Sequence, residues 1–113
     1  MAEELSPQQV RELAGAQLVD VRTREEREAA HIPGTAHIPL ERLEESAAEL
    51  DRDRPLVLYC RSGDRSAMAA EAFSASGWDA TSLQGGILAW AESGLPLEPA
   101  DGEVISPSGL PPK

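Results

Sequence analysis

Short apolar runs alternate along this chain with stretches whose apolar residues return every three or four positions, a pattern of strands separated by helices. Gln17 to Val21, Leu56 to Tyr59 and, more weakly, Asp79 to Leu83 read as strands, with a brief one near Ala36 to Pro39. Leu56 to Tyr59 is apolar throughout, which fits a strand covered on both faces in the middle of a parallel sheet. Ser6-Pro7-Gln8-Gln9 supplies an N-cap, a first-position proline and a capping box, with Leu5 and Val10 set as a hydrophobic staple. Val10, Leu13 and Ala14 are the expected buried stripe of that helix, and Gly15 its end. Thr23 to Glu26 is a second capping box, opening a helix over Arg24 to about Ala30. Leu40, Leu43, Ala47 and Leu50 recur at helical spacing among solvated glutamates. Met68, Ala69, Ala72 and Phe73 form one face of a helix opening at Ser66 and stopping at Gly77. Gly85-Gly86 turns into a last helix whose Ile87, Trp90 and Ala91 face inward. The alternation predicts an α/β layer structure with helices on both sides of a mainly parallel sheet, where sites lie at the carboxyl ends of strands.

Composition narrows this picture. The 113 residues suit one domain, and 41% apolar with 27% charged residues is ordinary for a globular protein. A net charge of −10 disfavours nucleic acid and anionic lipid as partners, since both need clustered lysine and arginine. No apolar run approaches the ~20 residues of a membrane span, and Met1-Ala2-Glu3-Glu4 does not resemble a signal peptide, so a cytoplasmic location is expected. From Leu97 the composition shifts, with Pro99, Pro107, Pro111 and Pro112 among glycine, serine and acidic residues. The expected division is a domain over 1–97 and a loosely ordered Pro/Gly-rich tail over 98–113.

The only cysteine, Cys60, ends the central apolar run, and Arg61, Ser62, Gly63, Asp64, Arg65 and Ser66 carry the chain into a helix. A junction of this build aims backbone N–H groups at one point and adds the partial positive charge of the helix N-terminus. With Arg61 and Arg65 nearby, the thiolate, which is the nucleophilic form, is favoured there. A cysteine ending a buried strand is often only a small hydrophobe. That role has no use for a glycine three positions on, two arginines and a helix start. Gly63 admits a conformation closed to larger residues, and Ser66 is placed to cap the helix and donate to the sulfur. Asp64 opposes an anionic substrate unless it faces solvent or pairs with an arginine. A lone cysteine also leaves any disulfide or persulfide exchange to a second molecule.

Two other charged groups read as structural. Asp20 beside Arg22 at a strand end ties the strand to the following loop by charge-assisted hydrogen bonds. His31 and His37, six positions apart, lack a metal-ligand pattern around them, and His31 is expected to satisfy loop backbone groups.

Cys60-Arg61-Ser62-Gly63-Asp64-Arg65-Ser66 resembles the active-site loop of the rhodanese (thiosulfate sulfurtransferase) family. Three further stretches fit in family order: Leu18-Val19-Asp20-Val21-Arg22, His31 to Pro39, and Leu83-Gln84-Gly85-Gly86-Ile87 with Trp90. Ala30 and Thr35 stand where the family usually has glycine and often has alanine. The resemblance implies a rhodanese-like three-layer fold, with a mainly parallel five-stranded sheet flanked by helices on both faces and a first strand around Glu4-Leu5. It further implies a sulfurtransferase that moves sulfane sulfur from thiosulfate or a related persulfide donor to a thiophilic acceptor, cyanide in an assay or a thiol in the cell. Cys60 would carry the sulfur as a persulfide, and Arg61, Ser62, Gly63, Asp64, Arg65 and Ser66 would bind substrate and persulfide, with no cofactor and no metal. The expected partners are a small anionic sulfur donor and a thiol or protein acceptor, and the expected state a monomer or weak homodimer.

Two alternatives accompany this expectation: a persulfide carrier that does not turn over small molecules, and a cysteine phosphatase or arsenate reductase. Loop length bears on the second. Only four residues separate Cys60 from Arg65, whereas cysteine phosphatases resemble Cys-x5-Arg. The shorter ring of N–H groups suits a terminal sulfur better than a phosphoryl group.

Overall fold

A computed structural model describes residues 4–106. Its strands are β1 (Glu4–Leu5), β2 (Gln17–Asp20), β3 (Ala36–His37), β4 (Leu56–Tyr59) and β5 (Ala80–Leu83). The helices are α1 (Pro7–Glu12), α2 (Arg24–Ala29), α3 (Leu43–Ser46), α4 (Asp64–Ala75) and α5 (Gly86–Glu92). The five strands form one sheet in the order β1-β5-β4-β2-β3, every neighbouring pair parallel. β4 is the middle strand, and all of its residues are buried. No helix among the described residues is long and apolar enough to cross a membrane.

Strand periodicity sorts the core into two halves. Successive side chains on β4 point to opposite faces. Leu56, Leu58 and the following Cys60 join one cluster with Val19, Leu43, Ala69 and Ala70, packed by α3 and α4. Val57 and Tyr59 join the other, with Val10, Ile32, Leu83, Ile87 and Trp90, packed by α1 and α5. Cys60 therefore emerges on the α4 side of the sheet, at the carboxyl end of its central strand.

α4 opens at Asp64 with Gly63 as N-cap and no side-chain cap, so Ser66, read as the first helical residue and its cap, lies inside the first turn; the starts of α1 and α2 follow their local signals. Both capping boxes form: Ser6 with Gln9, and Thr23 with Glu26. The interiors and ends differ in places from the sequence reading. α1 stops at Glu12 with Leu13 already extended, so Ala14 is exposed instead of continuing a buried stripe. The helical spacing over Leu40 to Leu50 resolves into short α3 between two 3-10 turns, Leu40–Arg42 and Ala47–Glu49. α4 is rotated from expectation: Met68 is 66% exposed and Ala72 is exposed. The buried positions are Ser66, Ala69 and Ala70, with Phe73 half-buried, an i, i+3, i+4, i+7 stripe whose first member is polar because it faces Cys60. Ala91 is half-buried, whereas Ile87 and Trp90 are buried. The Trp90 indole donates to the Pro96 carbonyl at 2.7 Å, which places the ring in the core.

Beyond Leu97, the segment read as a loose tail makes specific contacts. His31 and Glu98 exchange backbone hydrogen bonds at 3.0 and 2.8 Å. Leu97 and Val104 pack against the α5-side cluster. Pro107, Pro111 and Pro112 lie outside the described residues.

Candidate active site

Cys60 follows β4 directly, and the chain turns back through residues 61–63 into α4. Gly63 makes the turn possible with φ of +107° in the left-handed region. The Cys60 thiol receives the Gly63 N–H at 3.1 Å and, more loosely, the N–H and hydroxyl of Ser66 at 3.5 Å each. These donors belong to the N-cap and first turn of a 12-residue helix, so the helix dipole points its positive end at the sulfur. Cys60 itself has no exposed surface.

The back of the loop is clamped by α5. Ile87 donates to the Cys60 carbonyl at 2.9 Å and Leu88 to the Arg61 carbonyl at 3.1 Å. A trans peptide holds its C=O and N–H antiparallel. Turning these two carbonyls toward α5 therefore turns the N–H groups of Arg61 and Ser62 to the opposite side. The approach is so close that a Cβ on Gly86 (φ +62°) would lie 2.5 Å from the Cys60 carbonyl oxygen and 2.6 Å from the Arg61 carbonyl carbon.

The loop side chains diverge in their engagements. Arg65 makes a two-pronged ion pair with Glu26, Nη1 to Oε1 at 3.0 Å and Nη2 to Oε2 at 2.9 Å. Asp64 and Ser62 are exposed, whereas Arg61 is half-buried and its Nε is buried with no hydrogen-bond partner among the described residues. Ser66 is buried, its hydroxyl 2.7 Å from that of Ser82 and 3.3 Å from the Gly63 carbonyl.

Glu26 is the residue that sequence reasoning placed only in a helix cap. Its carboxylate accepts from the Thr23 N–H and hydroxyl, both at 3.1 Å, as well as from Arg65, and it is fully buried. Burial opposes its ionisation, but the hydrogen bonds from Arg65 and the Thr23 backbone outweigh that, and its pKa lies below the ordinary value. The pairing with Glu26 raises Arg65 above its ordinary value despite partial burial, with the nearby Cys60 adding to the effect. Ser82 was missed for a different reason. A serine in a strand of alternating character gives no sign that it meets a hydroxyl from α4.

Behind this layer lies a second ionic unit. Arg22 donates to Asp20 at 2.9 and 2.8 Å with both side chains fully buried, reaches the Ala30 carbonyl at 2.6 Å, and stacks 5.7 Å from the Tyr59 ring centre. The pair ties β2 to the loop ahead of β3, in the structural role expected for it. His31 bonds the Arg27 carbonyl at 3.1 Å and Glu98 at 3.2 Å, and His37 bonds the Arg22 carbonyl at 2.8 Å. Among the described residues no group of three or more histidine, cysteine or acidic side chains is arranged to hold a metal ion.

A central cysteine at the carboxyl end of a five-stranded parallel sheet, cradled by the N-terminus of the following helix, defines a recognisable class. The chain belongs to the rhodanese family: the rhodanese-like domain profile matches residues 6–93. It is 38% identical over 88% of its length to the thiosulfate sulfurtransferase GlpE of Pseudomonas aeruginosa, covering 93% of that protein. It is 42% identical over 78% of its length to the HTH-type transcriptional regulator Rv0324 of Mycobacterium tuberculosis, but spans only 40% of that protein. Among solved structures, a rhodanese-related protein from Thermoplasma volcanium superposes with a TM-score of 0.79 at 30% identity, over 84% of this chain and 96% of that one. The parallel five-stranded sheet with its helices is the rhodanese-like fold, and relatives named as sulfurtransferases support sulfur transfer as its general chemistry.

Proposed function

We propose that the protein is a sulfurtransferase in which Cys60 carries the transferred sulfur as a persulfide. The observation that carries this reading is the set of donors on one sulfur: the Gly63 N–H at 3.1 Å and the Ser66 N–H and hydroxyl at 3.5 Å, at the start of α4. Such a set stabilises a sulfur anion, and it does so without a general base, since an ionised thiol needs none. Cys60 as thiolate attacks the outer sulfur of the donor, the bond between that sulfur and the leaving group breaks, and the leaving group departs with the bonding electron pair. With thiosulfate the leaving group is sulfite. A thiophile then attacks the outer sulfur of the persulfide and returns Cys60 as thiolate; cyanide leaves as thiocyanate.

The loop's size supports sulfur over phosphate as the transferred group. With four residues between Cys60 and Arg65, and Arg65 bound to Glu26, the cradle presents a few N–H groups converging on one atom. The sulfur acceptor in the cell is a thiol, free or on a protein.

The test is intact-mass measurement after incubation with a sulfane donor. The expected result is a single added sulfur that cyanide removes and that Cys60→Ser never acquires. A wild-type protein that gains no sulfur from any donor would end the proposal.

A further inference from the structure

One of the two loop cations, Arg65, is offset by a buried acid. Arg65 gives both terminal nitrogens of its guanidinium to Glu26, whose carboxylate has no exposed surface and is pinned by the Thr23 cap of α2. A buried carboxylate is screened by salt much less than a surface one. Its field therefore subtracts from the one Arg65 projects toward Cys60. Arg61, the other loop cation, is half-buried, with an Nε that has no hydrogen-bond partner among the described residues, and Asp64 is exposed. Glu4 adds a third acid beside the loop, close enough that a Cβ on Gly63 would lie 3.7 Å from its Oε1. On a chain of net charge −10, that leaves Arg61 and the N-terminus of α4 as the positive groups beside Cys60 that can attract a doubly charged anion.

We infer that Glu26 is a specificity-setting positioning residue: by holding and neutralising Arg65, it directs the site toward sulfur donors with no more than one negative charge, such as persulfides and thiosulfonates, and away from thiosulfate. This rests on the sulfur-transfer reading of Cys60. The chemistry is the same for either donor class. Cys60 thiolate takes the outer sulfur of methanethiosulfonate and releases methanesulfinate, or takes that of thiosulfate and releases sulfite, each leaving group carrying away the electron pair of the broken S–S bond. Only the charge brought to the loop differs.

The test compares kcat/KM for thiosulfate and for methanethiosulfonate, with cyanide as acceptor, in wild type, Glu26→Gln and Glu26→Asp. A Coulomb energy scales with the donor's charge, so a gain of about tenfold for the dianion on removing Glu26's charge corresponds to about threefold for the monoanion. Glu26→Gln is expected to move the donor ratio about threefold toward thiosulfate at low salt, with the gain shrinking as salt is added. Glu26→Asp, which keeps the charge, is expected to hold the ratio within about twofold of wild type. A ratio unmoved in Glu26→Gln, or moved equally in Glu26→Asp, overturns the inference.

Wild type alone provides a second measurement that needs no variant to fold. With Arg65 neutralised, thiosulfate kcat/KM should fall less than about twofold from low to high salt, and a larger fall overturns the inference. Intact mass separates the two levels of failure. Sulfur loaded from both donors with the wrong ratio overturns this inference alone, while a wild-type Cys60 loaded by neither donor removes the sulfur-transfer reading and this inference with it.

Discussion

Replacing Gly86 by alanine tests whether α5 holds the loop through direct backbone contact. The substitution has two separable costs. Gly86 has φ of +62°, a conformation that costs an L-residue about 1–2 kcal/mol. The added Cβ must also displace the Cys60 and Arg61 carbonyls, 2.5 Å from the oxygen of the first and 2.6 Å from the carbon of the second. Overpacking of that kind costs about 1–3 kcal/mol, and weakening the Ile87 and Leu88 hydrogen bonds to those carbonyls about 0.5–1.5 kcal/mol each. The expected loss for Gly86→Ala is therefore about 3–8 kcal/mol, a large part of the 5–15 kcal/mol typical of a domain.

Gly15 provides the control, with φ of +73° and nothing within 4 Å of the point an added Cβ would occupy. Gly15→Ala should cost only the backbone term, about 1–2 kcal/mol. Urea unfolding followed by circular dichroism gives both values, and at about 4 °C per kcal/mol thermal melting should separate the variants by about 10 °C or more. Near-equal losses in the two variants would refute the claim that backbone contact at Gly86 fixes the loop.

Other outcomes follow from the same geometry. Ser82→Ala removes the hydroxyl 2.7 Å from that of Ser66 and should slow sulfur loading of Cys60 about fivefold, the equivalent of one hydrogen bond of about 1 kcal/mol, and lower the melting temperature by about 4 °C; an unchanged loading rate would show that Ser82 does not orient Ser66. Glu26 has a folded-state pKa held below its ordinary 4.5, so the stability it contributes is fully present above that value and is lost as pH falls through the folded one. The stability gap between wild type and Glu26→Gln, measured by urea unfolding, should accordingly narrow as pH drops below about 4.5, whereas a constant gap would place the carboxylate's role in packing alone.

Much of this fold was legible because its signals are local. The capping boxes at Ser6 and Thr23 need only residues three apart, and β4 announces itself by four consecutive buried apolar residues. Cys60 stood out for a similar reason, since a strand, a glycine-bearing turn and a helix start adjoin it in the chain. What escaped notice depends on distant partners. Glu26 meets Arg65 across 39 positions and Ser66 meets Ser82 across 16, and neither member of either pair signals the other. Gly85-Gly86 was readable as a turn, but the approach of Gly86 to the Cys60 and Arg61 carbonyls is a tertiary fact. The rotation of α4 was hidden because the first buried position of its stripe is Ser66, a polar residue that a hydrophobic pattern passes over.

The central claim is that Cys60 holds a transferable sulfur, and intact mass spectrometry of the wild-type protein after treatment with methanethiosulfonate or thiosulfate tests it most directly. The expected result is one added sulfur, absent from Cys60→Ser and stripped by cyanide with release of thiocyanate. A wild-type chain whose mass stays unchanged with both donors would contradict it.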